Sequence, residues 1–385
     1  MPIETVRYTY RLRPGAQAEA SLISEWNRCR YLWNEAVHQS KTGRKPTFCK
    51  LSKLLTEARS AHAWLREGSQ VAQQQTLRDY ARSLDHSFKV KVKGRGRPKF
   101  KARKKTLPSL EYTTRGFAVR DGRLVLPKGV TVPVVWSRDL PSDPTSVRVF
   151  QDTLGHWYAS FVVRRDAQQA AAAEGRIGVD WGVSATASTT NAVFDLPHSG
   201  HRRRSAEVLA KAQRRMARRH RANKAQSNGY LRARRDAAVL HKKGARQVQY
   251  DARIWAKRIV EAHQLIAVED FTPTFLAKST MARKAADAAI GAAKRELIYR
   301  GLRAGRQVVL VQPAYTTMTC SKCFARAKQH LELGQRTFTC STCGFTAGRD
   351  LNAARVILAV AERGHTSVDG VRHQEPPSED VAGAA

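Results

Sequence analysis

Four cysteines fall in two tight pairs, Cys320 with Cys323 and Cys340 with Cys343, and 16 residues separate the pairs. Each C-x2-C turn lets two thiolates reach one ion. A second turn at this separation completes a closed tetrahedron, the pattern of a structural zinc site with no open position for substrate. Three acids form a second set. Asp180 and Glu269 sit at or near the ends of the apolar β-type runs RIGVDWGV (176–183) and LIAVE (265–269). Asp350 opens a helix whose Leu351, Ala354, Leu358 and Ala361 share one face. One acid at a strand end is commonly a helix cap or a surface charge. Three together meet a demand of phosphodiester hydrolysis, in which two divalent cations about 3.5–4 Å apart need carboxylates converging from separate segments. Magnesium prefers such hard oxygen ligands.

The elements that position these residues lie in a strongly basic chain of 385 residues, with 68 Lys and Arg against 32 Asp and Glu and a net charge of +36. That imbalance calls for a polyanionic partner, with nucleic acid foremost. No apolar run of 18 residues suggests a membrane span, and the N-terminus MPIETVRYTYRLRP lacks the hydrophobic core of a signal peptide. The expected setting is therefore the cytoplasm, beside the nucleoid. There, paired cysteines bind metal rather than form disulfides. Cys29 and Cys49 read as ordinary reduced residues.

Residues 5–12 read as a strand and 19–84 as helices, with Leu22, Trp26, Cys29, Trp33 and Val37 stepping along one face as a packed core. The segment KVKVKGRGRPKFKARKK, residues 89–105, holds ten basic and no acidic residues and is expected to be a flexible, phosphate-contacting loop. Short β runs at 122–126, 130–136, 146–150 and 157–163 indicate a small barrel or sandwich. The Ala-rich stretch 167–175 reads as a linker or short helix. Residues 201–258 carry 19 Lys or Arg against three acids, a basic helical hairpin whose second arm buries Val248, Ala252, Trp255, Ile259 and Ala262. Strands at 265–269 and 307–311 alternate with helices, the mark of an α/β sheet.

RIGVDWGV around Asp180, IAVEDF around Glu269, and CSKC followed by CSTCGFTAGRDLNAARVIL around Asp350 resemble the three RuvC motifs and interposed zinc ribbon of the TnpB family. These are transposon-encoded nucleases related to compact type V CRISPR effectors. YRLRP, GRGRPKFKARKK and GHWYASF stand at family-like positions, so the resemblance runs through nearly the whole chain. It departs at Trp181, where leucine is usual, and at TTMTC before the ribbon.

The resemblance implies an α/β fold plus a β-barrel: an RNase H-like (RuvC) nuclease domain with an inserted zinc ribbon, preceded by an OB-like wedge barrel carrying a helical recognition insert. The boundaries it implies are a wedge at 1–15 and 106–166, helical REC at 16–105, RuvC at 175–319 and 345–363, the ribbon at 320–344 and a disordered tail at 364–385. It also implies an RNA-guided DNA endonuclease cutting beside a short adjacent motif. Asp180, Glu269 and Asp350 would be catalytic and hold two Mg2+, and Cys320, Cys323, Cys340 and Cys343 would hold one structural Zn2+. The expected partners are a guide RNA and double-stranded target DNA, with the protein a monomer in its RNA complex. Read without the resemblance, the residues reach only a nuclease with a polyanionic partner. Two alternatives stay open: a nuclease-inactive RNA-guided DNA-binding repressor, and a guide-independent transposition accessory protein.

Overall fold

A computed structural model describes residues 3–42, 46–88, 96–103, 105–167, 170–271, 289–327 and 334–372. The chain divides into two units, Met1–Ala167 and Gln168–Ala385.

The first unit starts with β1 (Ile3–Leu12), whose alternation buries Val6, Tyr10 and Leu12. Helices α1 (Ala16–Thr42), α2 (Phe48–Ala61), α3 (Ala63–Arg66) and α4 (Gln70–Phe88) follow, then strands β2 (Ser109–Thr113), β3 (Ala118–Arg120), β4 (Arg123–Leu126), β5 (Val130–Val135), β6 (Ser146–Gln151) and β7 (Trp157–Asp166). The strands form one antiparallel sheet in the order β2-β6-β7-β1-β5-β4-β3. β1 pairs along most of its length with β7 yet meets β5 only at Arg11 and Leu12, so one strand serves two parts of a curled sheet. β2 and β3 remain edges. The expected barrel is thus a curled but open sheet in its hydrogen bonding.

The apolar stripe of α1 is divided between two cores. Leu22, Trp26 and Cys29 pack on the sheet beside Trp157, Phe161 and Leu110, whereas Trp33 and Val37 join Leu51, Leu55, Leu65 and Tyr80 among the helices. The segment expected to be a flexible cationic loop needs correction where it is described. Residues 89–95 and 104 lie outside the described residues, but 96–103 are strapped to α1. Trp33 Nε1 donates to the Lys99 carbonyl at 3.0 Å, the Lys101 N–H donates to Asn34 Oδ1 at 2.7 Å, and the Lys101 ammonium lies 3.5 Å from the centre of the Trp33 ring. Burial pulls the Lys101 amine down to about 8. Its ammonium thus lies against an aromatic face.

In the second unit, β8 (Gly175–Trp181), β9 (Ala185–Thr189), β10 (Leu196–Pro197), β11 (His263–Glu269) and β12 (Gln307–Val311) make a mixed sheet ordered β10-β9-β8-β11-β12. β8, β11 and β12 are parallel, and β9 pairs antiparallel with both β8 and β10. The basic hairpin comprises α5 (His201–Arg204), α6 (Ala206–Arg219) and the long α7 (Asn228–Ala262). Ser227 caps α7 by accepting from the Tyr230 N–H at 3.2 Å. Trp255, Ala256 and Ile259 of α7 cover one sheet face together with α8 (Ile290–Arg303). The other face is covered by α9 (Arg349–Glu362), through Val356, Ile357 and Val360. Burial on both faces explains why β8 and β11 read as near-continuous apolar runs rather than alternating ones.

A two-stranded sheet, β13 (Thr337–Thr339) with β14 (Thr346–Gly348), precedes α9. The tail expected to be disordered from 364 is ordered at its start. There α10 (Val368–Arg372) buries Val368 against α9, and Asp369 pairs with Arg326. Residues 373–385 lie outside the described residues. No helix among the described residues is long and apolar enough to cross a membrane.

Candidate active site and metal centre

Successive side chains of a strand point to opposite faces. Along β8, Ile177, Val179 and Trp181 point to α7 and α8, leaving Gly178 and Asp180 on the face that α9 covers. Along β11, Ile266 and Val268 take the first face and Ala267 the second, so Glu269 falls on the second as well. The two strands are parallel with Val179 opposite Val268. Asp180 and Glu269 are therefore neighbours at adjoining carboxyl ends, the edge where open α/β sheets place their ligands.

Gly178 brings in the third acid. A Cβ built on it would lie 2.0 Å from the Ala354 carbonyl oxygen, so α9 rests directly on the β8 backbone. Asp350, one turn before Ala354, then falls at the same end of the sheet as Asp180 and Glu269.

The electrostatics agree with that placement. Burial raises the Asp180 carboxyl well above the usual carboxylate range, and the charges of Glu269 and Asp350 raise it further, while Arg349 opposes them. Burial pushes Glu269 up to about 7, against hydrogen bonding from the Trp181 backbone and Thr316 and the charge of Lys294. Asp350 is half-exposed and faces Arg336 at 4.0 Å, and Arg336 also donates to Ser184 Oγ at 3.1 Å. Among the described residues, the group of three or more potential ligand atoms within 4.8 Å of one another is the cysteine set. The carboxylates are thus grouped, with Asp180 feeling the charges of the other two, without being drawn that tightly together.

Buried carboxylates that repel one another fit a hard divalent cation, which would relieve both the desolvation and the repulsion. Trp181 adds an unforeseen support, its Nε1 donating to the Glu269 carbonyl at 3.0 Å while its ring meets Trp255 edge-on. Arg336, Arg349, Lys294 and Thr316 were not singled out in the sequence. Their types and spacing carry no signal until the fold brings them to the acids.

The cysteine centre consists of two matching turns. After Cys320, the Phe324 N–H donates to its carbonyl at 3.0 Å, and after Cys340 the Gly344 N–H does the same at 3.0 Å. Both closing residues have positive φ, 58° for Phe324 and 70° for Gly344. Phe324 accepts that strained position while its ring packs under Arg363 at 4.0 Å. The sulfurs of Cys320 and Cys343 lie 3.8 Å apart and those of Cys323 and Cys340 3.6 Å apart. A tetrahedron with arms of about 2.3 Å has edges of about 3.8 Å. The donor set therefore fits zinc. The thiols shift in opposite directions, as neighbours sharing one proton set do: against the effect of burial, the Cys343 and Thr342 backbone groups and nearby thiols pull Cys340 down to about 6, while Cys320 is raised by burial and Cys323 is raised to about 12.

Two family models match the second half of the chain: one described as "Probable transposase" over residues 160–279, and one described as "Cas12f1-like, TNB domain" over 291–357. A Streptomyces pristinaespiralis protein named as an RNA-guided DNA endonuclease is 30% identical over 384 residues, covering 96% of this chain and 93% of that relative. The chain belongs to the TnpB family. An Escherichia coli K12 relative, named as RNA-guided DNA endonuclease InsQ, is 26% identical to this TnpB-family chain and covers 91% of each. A solved Cas12f1–sgRNA–target DNA complex covers 92% of the chain and 98% of its own at 14% identity, with a TM-score of 0.48.

Proposed function

We propose that this TnpB-family protein is an RNA-guided DNA endonuclease of transposon origin, cleaving through Asp180, Glu269 and Asp350. The observation that carries the reading is the burial of Asp180 beside Glu269 with Asp350 over the same strand ends, in a chain alignable end to end with relatives so named. The mixed sheet covered by α9 supports an RNase H-like, RuvC-type assignment for the second unit. The three carboxylates are the residues to hold divalent cations, Mg2+ by their hard oxygen donors. Bound there, the cations supply Lewis acidity at the phosphodiester and an activated water. The Arg336 guanidinium lies 4.0 Å from the half-exposed Asp350 and offers charge-assisted donors to a phosphate. Trp181 and Thr316 hold the Glu269 segment, and Gly178 lets Asp350 descend to the sheet. The four cysteines form a zinc ribbon with a structural role. The net charge of +36 suits a protein that neutralises both a guide RNA and a DNA duplex.

The test is to purify the full chain from cells carrying its flanking locus, sequence the RNA bound to it, and challenge a plasmid matching that RNA with Mg2+ present. A discrete RNA and cleavage lost in Asp180→Asn are expected. A protein without a discrete RNA would exclude guidance. Retained cleavage in Asp180→Asn would exclude the carboxylate assignment, and binding without cuts in the wild type would make the protein a repressor.

A further inference from the structure

Asn352 lies two residues beyond Asp350 on α9 and is completely buried. Both ends of its amide are engaged by the segment that carries the first cysteine pair. Nδ2 donates to the Thr319 carbonyl at 2.8 Å, and Oδ1 accepts from the Ser321 N–H at 2.9 Å. These backbone groups flank Cys320, which is itself fully buried. An uncharged amide, donor at one end and acceptor at the other, matches both. Aspartate would forfeit the donor, and an aliphatic side chain would strand the buried Thr319 carbonyl and free the half-buried Ser321 N–H. The second cysteine pair reaches the same helix by another route. β14 runs straight into α9, and the Arg349 N–H donates to the Arg336 carbonyl at 2.8 Å, just ahead of β13. The first turn of α9, with Asp350, is therefore gripped by both halves of the cysteine centre.

We propose that Asn352 is a positioning residue through which the ion held by the four cysteines sets the placing of Asp350. This rests on the proposed role of Asp350 as a divalent-cation ligand. With the cysteine cluster closed, residues 319–321 are fixed, and the Asn352 amide transmits that fixity to the helix start. When the cluster opens, Thr319 and Ser321 loosen and Asp350 loses its register with Asp180.

The test uses the full-length protein and three readouts other than cleavage: zinc content, Mg2+ affinity by calorimetry, and hydrogen exchange at the Ser321 amide. Removing zinc from the wild type is expected to weaken Mg2+ binding by about 10- to 100-fold, the range for lost outer-shell support. Asn352→Ala, with zinc still bound, should already show that loss, and zinc removal should add little to it. The Ser321 amide should exchange faster in Asn352→Ala and less so in Asn352→Asp, which keeps the acceptor for Ser321 but turns a repelling carboxylate oxygen toward the Thr319 carbonyl. Asn352→Asp also provides the comparison if the alanine variant does not retain its zinc. Wild-type Mg2+ affinity in zinc-loaded Asn352→Ala, or an equal effect of zinc removal in both proteins, would overturn the proposal. If Asp350→Asn binds Mg2+ as the wild type does, the carboxylate assignment itself fails, and the proposal with it.

Discussion

Replacing Gly178 with alanine places a methyl group where α9 touches β8. The new Cβ would lie 2.0 Å from the Ala354 carbonyl oxygen and 3.0 Å from both the Ala354 carbonyl carbon and Leu358 Cβ. None of these atoms can swing aside by a rotamer change. Because real Cβ atoms essentially never approach closer than 3.0 Å, α9 must lift by about 1 Å. Overpacking of this kind costs about 1–3 kcal/mol. In a unit of this size, each kcal/mol lowers the melting midpoint by about 2–4 °C. The effect on catalysis should be larger, because Asp350 travels with the helix and a 1 Å misplacement can cost about 10²-fold in rate.

The assay is single-turnover cleavage of a matched plasmid, with a thermal melt on the same preparation. Gly301→Ala is the control. Its Cβ would meet Val308 Cγ2 at 2.6 Å, the end of a rotatable side chain on the other face of the sheet. It should lower the midpoint and leave cleavage nearly intact. Cleavage by Gly178→Ala at the wild-type rate, or equal losses in the two variants, would refute the view that the Gly178 contact places Asp350.

Asp180→Asn should abolish cleavage while raising the melting midpoint near pH 8, because it removes a buried carboxylate flanked by like charges. The folded state holds the Asp180 and Glu269 protons more tightly than the unfolded chain does, with Glu269 raised from 4.5 to about 7. The contribution of Glu269 is thus complete below its unfolded-state value of 4.5 and is lost as pH rises through about 7, and Asp180 shifts in the same direction. Melts from about pH 5 to pH 8 without divalent cation should show that decline and Mg2+ should reverse it, whereas a flat profile would contradict the burial of the pair. Cys340→Ser opens the cysteine centre and should lower zinc content, stability and cleavage together; full activity in a zinc-depleted protein would deny the ribbon its bracing role. Trp181→Phe removes the indole donor to the Glu269 carbonyl while keeping an aromatic ring, so it should cost about 1 kcal/mol and raise the Mg2+ concentration needed for half-maximal cleavage. An unchanged Mg2+ requirement would leave Trp181 with a packing role only.

Features that rest on short-range spacing were legible in the sequence. Two C-x2-C turns can close on one ion whatever surrounds them, and the apolar runs ending in Asp180 and Glu269 are what buried parallel strands require. The helical stripe from Leu22 to Val37 and the basic hairpin were equally readable, since periodicity and charge are local properties. The weaker elements were not. β2 alternates over only five residues, and β9, ATAST, carries little apolar alternation, so their pairing partners define them. The segment 89–105, with ten basic residues, read as a flexible, phosphate-contacting loop because dense like charge marks an interaction segment. It could not reveal that the Trp26 and Trp33 rings would lie against Lys101.

The sequence by itself determined which residues could bind metal and that the partner must be polyanionic, because side-chain chemistry and net charge need no fold. Only the tertiary structure decided that Gly178 is the floor on which α9 rests, that Arg336 faces Asp350, and that Asn352 joins the helix to the first cysteine turn. Those relations join residues that no spacing rule connects. They arise from the parallel register of β8 with β11 and the descent of α9 onto β8, and burial at that junction is what makes the Asp180 and Glu269 carboxylates and the Asn352 hydrogen bonds energetically consequential.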